Sequence, residues 1–107
     1  MSKYGNRKTT VYGITFDSKK EARRFLVLRD MEKRGEISDL QLQVPYEIIP
    51  AVKINGRKQR AIKYIADFVY TKDGETVVED SKGYRTREYG LKRRLMKVVH
   101  NIDIAEV

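Results

Sequence analysis

Two aspartates and a lysine lie in a stretch whose pattern predicts a β-hairpin, residues 62–82 (IKYIADFVYTKDGETVVEDSK). Two runs rich in β-branched and aromatic residues flank Asp73-Gly74, which is typical of a two-residue type I′ turn. With that turn, Asp67 faces Asp80 across the two strands, with Cβ atoms about 5 Å apart. Lys82 follows two residues after Asp80 and is expected on the same face, because side chains alternate along a strand.

The facing aspartates suggest a site for a divalent cation. Like charges directly opposite each other destabilise a strand pair, and a cation between them offsets the repulsion. Mg²⁺ and Mn²⁺ prefer carboxylate, carbonyl and water ligands, so either ion suits the pair. The alternative is a solvated face of an exposed hairpin. Ile65, Val69 and Val78 are expected on the same face, which favours partial burial but leaves both interpretations open.

The geometry of the turn decides which carboxylates face each other. A three-residue loop with a bulge would shift the pairing by one residue and place Glu79 opposite Asp67. Both Glu79 and Asp80 therefore remain candidates for the partner of Asp67.

The composition is that of one small, basic domain. The chain has 107 residues, of which 40% are hydrophobic and 36% are charged, with a net charge of +8. No apolar run approaches the roughly 20 residues that cross a bilayer, and no apolar segment typical of a secretory signal begins the chain. The absence of cysteine excludes disulfides and thiolate metal sites and fits a reducing cytoplasm, where we expect the protein to act.

The positive charge lies in two outer segments. Residues 1–34 and residues 81–100 each carry a net charge of +6, whereas residues 35–80 carry −2. A basic shell around acidic residues suits a polyanionic substrate and a metal centre. Nucleic acid is therefore the favoured partner, with charge for solubility as the alternative. A membrane partner is not expected, because no strongly apolar helix face accompanies the charge.

The first part of the chain predicts an arm, a short strand and a helix. Residues 1–10 are basic and polar and are predicted to form a flexible arm, followed by one domain of residues 11–107. Residues 9–16 are predicted to form a short strand or turn around Gly13.

A helix is predicted from Ser18 to about Arg34, because Ser18 and Glu21 match a capping box and Gly35 ends the pattern. Glu21 also lies at the edge of the apolar arc of this helix. It can therefore serve as the cap or point inward toward the sheet.

One strand and a turn are predicted between the first helix and the hairpin. Residues 40–49 alternate in polarity, and Pro45 places this strand at a sheet edge or a bulge. The turn signal Asn55-Gly56 is predicted to lead from residues 51–54 to the first strand of the hairpin. Residues 57–60 (RKQR) are predicted to be an exposed basic loop.

A second helix is predicted over residues 87–99, with Thr86 as its N-cap. Its apolar stripe is expected to consist of Leu91, Leu95, Val98 and Val99. Residues 101–107 can add a last strand. The predicted order α, β, β, β, α, β indicates an α/β fold in which a small sheet is flanked by two helices.

This order of elements resembles the PD-(D/E)XK nuclease superfamily, whose core is αβββαβ and which includes restriction endonucleases and Holliday-junction resolvases. The resemblance depends on Asp67 in the second strand and on Asp80-Ser81-Lys82 in the third, which match an acidic residue followed by (D/E)-x-K. Ala66 stands where that superfamily usually has proline. More narrowly, the segments FDSKKEA, ADF, VVEDSKG and LKRRL are similar to a family of small phage endonucleases that resemble resolvases. This similarity covers about residues 12–100.

The resemblance implies a metal-dependent endodeoxyribonuclease with a defined catalytic set. Asp67 and Asp80 would bind Mg²⁺ or Mn²⁺, with the backbone carbonyl of Ser81 as a further ligand. Glu21, on the first helix, would complete the metal site. Lys82 would orient the attacking water or help to deprotonate it.

The resemblance also implies DNA as the partner. Lys92 matches a lysine of the phage pattern, and the other candidates for contact with the DNA backbone are Arg23, Arg24, Arg85, Arg87 and Arg93. The sequence contains no additional domain for reading a long recognition site, so branched DNA or a recombination intermediate is the expected substrate. A resolvase must make two cuts, so a homodimer is expected. The alternatives are a nicking enzyme, an exonuclease, a non-catalytic DNA-binding protein, or an adaptor of phage replication or recombination.

Overall fold

The computed structural model describes residues 8–81 and 86–107. Its elements in chain order are β1 (Thr9–Val11), β2 (Ile14–Phe16), α1 (Lys19–Lys33), β3 (Ser38–Ile49), β4 (Val52–Ile54), β5 (Arg57–Gln59), β6 (Ile62–Lys72), β7 (Glu75–Asp80), α2 (Arg87–His100) and β8 (Ala105–Glu106). Of the predicted arm, residues 1–7 lie outside this description and Thr9 and Thr10 belong to β1. Within the described ranges, neither helix is long and apolar enough to cross a membrane.

The central sheet has four strands in the order β3-β6-β7-β8. Neighbouring strands are antiparallel except β7 and β8, which are parallel, so the sheet is mixed. Core residues of α1 and of α2 belong to separate hydrophobic clusters on this sheet. The predicted α/β fold with αβββαβ order is therefore confirmed, and β3, which contains Pro45, is an edge strand as predicted.

Helix α1 begins and ends where the sequence predicts. The Ser18 hydroxyl accepts a hydrogen bond from the backbone N–H of Glu21 at 3.1 Å. Gly35 follows the helix in the left-handed region at φ +77°. The buried side chains Ala22, Phe25 and Leu28 pack in one cluster with aromatic residues of β2 and β6, which places the start of α1 on the sheet.

The β6–β7 hairpin has the predicted register. Its cross-strand pairs are Lys72↔Glu75, Thr71↔Thr76, Tyr70↔Val77, Val69↔Val78 and Phe68↔Glu79. Asp73 and Gly74 have φ of +50° and +79°, as a type I′ turn requires. Because Glu79 pairs with Phe68, the bulged turn that would have placed Glu79 opposite Asp67 is excluded.

The alternation of side chains along β6 changes at Asp67. Period-two alternation would place Tyr64, Ala66, Phe68 and Tyr70 on one face. Instead, the first two pack in the cluster that contains α2 residues, whereas the last two pack in the cluster that contains α1 residues. Asp67 therefore lies at the point where the strand exchanges its two faces.

This change of phase corrects one prediction about the hairpin face. Ile65 was expected to share a covered face with Val69, but Ile65 is 43% exposed whereas Val69 is buried. The paired positions of β3 and β6 are also interrupted at Asp67, where Gln43 of β3 lies across from it. The register is the same on both sides of this point, so no residue is inserted there, and the irregularity is instead the left-handed backbone of Gln43 at φ +53°.

Helix α2 begins at the predicted N-cap, and the Thr86 hydroxyl accepts from the N–H of Tyr89 at 3.0 Å. Of the predicted apolar stripe, Leu95 packs against the core, but Leu91, Val98 and Val99 are at least half exposed. The buried residues of α2 are Tyr89 and Met96, which lie two turns apart on one face. Tyr89 can be buried because its hydroxyl donates to a carboxylate of β8 at 2.7 Å.

The segment between β3 and β6 differs from its prediction. The Asn55-Gly56 turn joins β4 to β5, and these two strands form a separate ribbon. Strand β3 pairs directly with β6. Residues 57–59 are therefore a strand rather than a loop. The pattern could not show this, because Arg57-Lys58-Gln59 contains no apolar or β-branched residue.

Candidate functional site

Buried polar side chains concentrate at one end of the central hairpin. Among the described residues, the buried side chains that are polar or charged are Glu21, Asp67, Glu79, Asp80 and Ser81. Four of the five are carboxylates, and they come from the start of α1, the middle of β6 and the end of β7. Buried carboxylates are rare unless they are paired, hydrogen-bonded or bound to a cation. This concentration marks the candidate site.

Asp67 is held by the residue that follows β7. Its Oδ2 accepts hydrogen bonds from the backbone N–H of Ser81 at 2.9 Å and from the Ser81 hydroxyl at 3.1 Å. Ser81, whose carbonyl is predicted as a metal ligand, thus also orients the Asp67 carboxylate.

Asp80 is fully buried, and its Oδ2 accepts a hydrogen bond from the Tyr64 hydroxyl at 2.7 Å. Burial, the hydrogen bond to Asp80 and the negative charges of Asp80 and Asp67 raise the pKa of Tyr64 well above its ordinary value. The phenol therefore keeps its proton and remains a donor to Asp80. Asp80 thus contacts the Tyr64 phenol directly, whereas Asp67 acts on it only through its charge.

Glu21 points inward, which was one of the two alternatives for this residue. Its side chain is 4% exposed, and its Oε2 accepts from the Nε2 of Gln43 at 3.4 Å. The amide of Gln43 thus connects the start of α1 to the strand position across from Asp67.

Gln43 has φ +53° inside β3, a conformation that residues other than glycine seldom adopt. Three other non-glycine residues have a positive φ because each lies in a turn, directly before a glycine. They are Tyr12, Asn55 and Asp73. A non-glycine residue with positive φ in mid-strand is often found at a functional position. Sequence reasoning missed Gln43, because a polar residue between Leu42 and Val44 has the pattern of an ordinary outward-facing position.

Glu79 belongs to a separate network on the α1 face. Its carboxylate accepts from Arg24 Nε at 2.8 Å and from Arg24 Nη2 at 2.6 Å, and it also accepts from the hydroxyl of Tyr70. This bidentate pair neutralises Glu79 and raises the pKa of Arg24, chiefly through the hydrogen bond. The arrangement favours Asp80 over Glu79 as the partner of Asp67 in the site. Contact of Arg24 with DNA stays a prediction.

The Tyr70 network predicts a loss of stability at high pH. Burial and the hydrogen bond to Glu79 raise the pKa of Tyr70 to about 12, whereas an unfolded tyrosine ionises near pH 10. The folded state then binds more protons than the unfolded state, so its stabilisation is complete below pH 10 and is lost as the pH rises toward 12. We expect the free energy of unfolding, measured in urea, to fall over that range.

Tyr70→Phe should reduce the slope of the free energy of unfolding against pH by up to about 1.4 kcal/mol per pH unit between pH 10 and 12. Tyr12→Phe is the control, because Tyr12 is 66% exposed. Equal pH dependence in wild type and Tyr70→Phe would contradict the assignment.

The other predicted DNA-contact residues that the structure describes lie on the two helices. Arg23 and Arg87 are exposed. Lys92 Nζ lies 3.4 Å from a carboxylate oxygen of Glu88, one turn earlier in α2. Arg93 Nε lies 3.8 Å from a carboxylate oxygen of β8. Lys82 and Arg85 lie outside the described residues, so their predicted roles stay predictions.

The predicted metal ligands lie near the open end of the β6–β7 hairpin without forming one cluster. Within residues 8–81 and 86–107, no group of three acidic or histidine side chains is close enough to hold a metal ion. Asp80 is bonded to Tyr64 and Asp67 to Ser81, and Glu21 is joined to the neighbouring strand through Gln43. The chemistry of the donors nevertheless fits Mg²⁺ or Mn²⁺, because carboxylate and carbonyl oxygens are their usual protein ligands.

The fold and site define a small, basic α/β protein with a carboxylate centre at the end of its hairpin. The chain belongs to the family described as "Protein of unknown function (DUF1064)", whose model matches residues 1–104. Comparison with the curated proteins and with the solved structures finds no match.

Proposed function

We propose that this protein is a metal-dependent DNA endonuclease of the PD-(D/E)XK type, which hydrolyses phosphodiester bonds in branched DNA or recombination intermediates. The observation that supports this best is the pair of buried aspartates, Asp67 and Asp80, which are hydrogen-bonded to Ser81 and to Tyr64 respectively at the open end of the hairpin. The net charge of +8 supports a polyanionic substrate. The proposal includes a homodimer that acts in the cytoplasm of a bacterial host, with the protein encoded by a phage.

The chain's own residues prepare the carboxylates for this role. Asp67 and Asp80 would hold Mg²⁺ or Mn²⁺, with the Ser81 carbonyl and Glu21 as further oxygen donors. When bound, such an ion lowers the pKa of water and stabilises the leaving oxygen. The Ser81 amide and the Tyr64 phenol orient the two aspartates in advance, which reduces the reorganisation that binding and reaction require.

Basic side chains on both helices would bring DNA to this acidic centre. Arg23 on α1 and Arg87 on α2 are exposed, and Lys92 on α2 is half-buried. Contacts from such groups to phosphates give affinity without sequence information, which suits an enzyme selective for DNA structure. Lys82 would act on the attacking water, as its place in the Asp80-Ser81-Lys82 motif implies.

A second candidate function is a DNA-binding protein that retains this fold without catalysis. It is favoured by the arrangement of the acidic groups, because no three of them in the described parts of the chain form one metal-binding cluster. The two functions share their DNA partner and differ only in metal-dependent cleavage.

The test uses the whole protein with labelled four-way junction, flap, duplex and single-stranded DNA, each with Mg²⁺, with Mn²⁺ and with EDTA. We expect cleavage only in the presence of metal, with the branched substrates cut most efficiently. Paired symmetrical cuts in the junction would support a dimer. Binding without cleavage of any substrate would overturn the endonuclease proposal in favour of the second candidate.

A further inference from the structure

The ribbon formed by β4 and β5 is separate from the core. The two strands pair with each other and not with the central sheet. All six of their residues are exposed. Asn55 and Gly56 close the ribbon with φ of +50° and +77°, as in a type I′ turn. The ribbon therefore has two exposed faces and no hydrophobic core of its own.

The central sheet does not need this ribbon. Strands β3 and β6 remain paired up to Ile49↔Ile62, so a two-residue turn between these residues would complete the hairpin. The chain instead inserts residues 50–61. An isolated two-stranded hairpin is only marginally stable in water, so the insertion adds little to the stability of the fold.

The charge of the ribbon also works against its own stability. Residues 50–60 contain four Lys or Arg residues and no Asp or Glu. Lys53 and Lys58 are directly opposite each other in the ribbon, and like charges in that position are destabilising. A polyanion bound on this face would relieve the repulsion, and phosphates at the spacing of a DNA backbone have the required charge.

We propose that the β4–β5 ribbon is an arm that binds duplex DNA, with its Lys53 and Lys58 face against the phosphates. A two-stranded ribbon fits the major groove, which is about 12 Å wide. The ribbon leaves the sheet at Ile62, five residues from Asp67, which is about 17 Å along an extended strand. The arm thus contacts DNA beyond the candidate site and lengthens the bound segment. This inference rests on the proposed function only in taking DNA as the partner.

The test measures binding of a fluorescent duplex by anisotropy in EDTA over a series of salt concentrations. The ribbon variant combines Lys53→Gln with Lys58→Gln. The control variant combines Lys33→Gln with Lys72→Gln, which removes the same charge from exposed lysines outside the ribbon. We expect the ribbon variant to bind about tenfold or more weakly at low salt. Its slope of log K against log salt should fall by about 1.8, because each lost phosphate contact removes about 0.9.

A second variant replaces residues 50–61 with Asn-Gly, and circular dichroism confirms that each variant is folded. This deletion should weaken binding at least as much as the double substitution. Wild-type affinity in both ribbon variants would overturn the inference, and so would an equal loss in the control. Wild-type affinity in both ribbon variants would favour a protein partner for the ribbon.

The cleavage assay separates this inference from the proposed function. Metal-dependent cleavage by wild type, with full affinity in the ribbon variants, would overturn only the arm. Loss of affinity in those variants, without cleavage by wild type, would support the arm and overturn the endonuclease.

Discussion

Asp80→Asn should reduce metal-dependent DNA cleavage by about a hundredfold or more, while the protein remains folded and still binds DNA in EDTA. The carboxamide has nearly the same shape as the carboxylate, and the Tyr64 hydroxyl can still donate to its oxygen. The change removes the negative charge that would hold the cation. Loss of one group that stabilises charge in a transition state typically costs about 10²–10³ in rate.

The matched control is Asp103→Asn, because it removes the same charge from a side chain that is 83% exposed. That variant should cleave like wild type. The buried carboxamide at position 80 introduces an N–H group that needs an acceptor, so a stability loss of about 1–3 kcal/mol is expected. Thermal unfolding therefore accompanies the cleavage assay. Cleavage that persists in folded Asp80→Asn would contradict the assignment of this site.

Arg24→Ala should lower the free energy of unfolding by about 3–5 kcal/mol, because it leaves the carboxylate of Glu79 buried without its cation. Glu79 is 1% exposed, and Arg24 supplies two of its hydrogen bonds. In a domain of this size the midpoint of thermal unfolding should fall by about 12 °C or more. Unfolding in urea measures the effect.

Glu79→Gln should destabilise less than Arg24→Ala, because it removes the buried charge and leaves an arginine that is 28% exposed and can reach water. Arg34→Ala is the surface control. Its partners Asp30 and Glu36 are exposed, so it should cost less than about 1 kcal/mol. If Arg24→Ala leaves stability unchanged but weakens DNA binding, the structural role would be wrong and the predicted DNA contact would be favoured.

The elements nearest to the site follow from local sequence. Asp73-Gly74 specifies a two-residue turn, and a turn of known length determines every cross-strand pair of the hairpin. Ser18 and Thr86 similarly define the starts of the two helices, because their hydroxyls bond to backbone N–H groups three residues later. These predictions succeeded because the interactions join residues that are close in the chain.

Local sequence could not predict which face of α2 is buried. Leu91, Val98 and Val99 are more apolar than Tyr89, so periodicity favoured a stripe of which only Leu95 packs against the core. Tyr89 is buried because β8 supplies a carboxylate for its hydroxyl. The same limit applies to the ribbon, whose second strand is formed of polar residues and depends on its pairing with β4.

The sequence by itself determined the αβββαβ order, the register of the central hairpin and the presence of Asp67 and Asp80 near its end. Only the tertiary structure decided which partner each buried carboxylate has. Glu79 pairs with Arg24 of α1, whereas Asp80 bonds to Tyr64. The physical reason is that burying a carboxylate requires a partner from another element, and the identity of that partner depends on packing between segments distant in the chain.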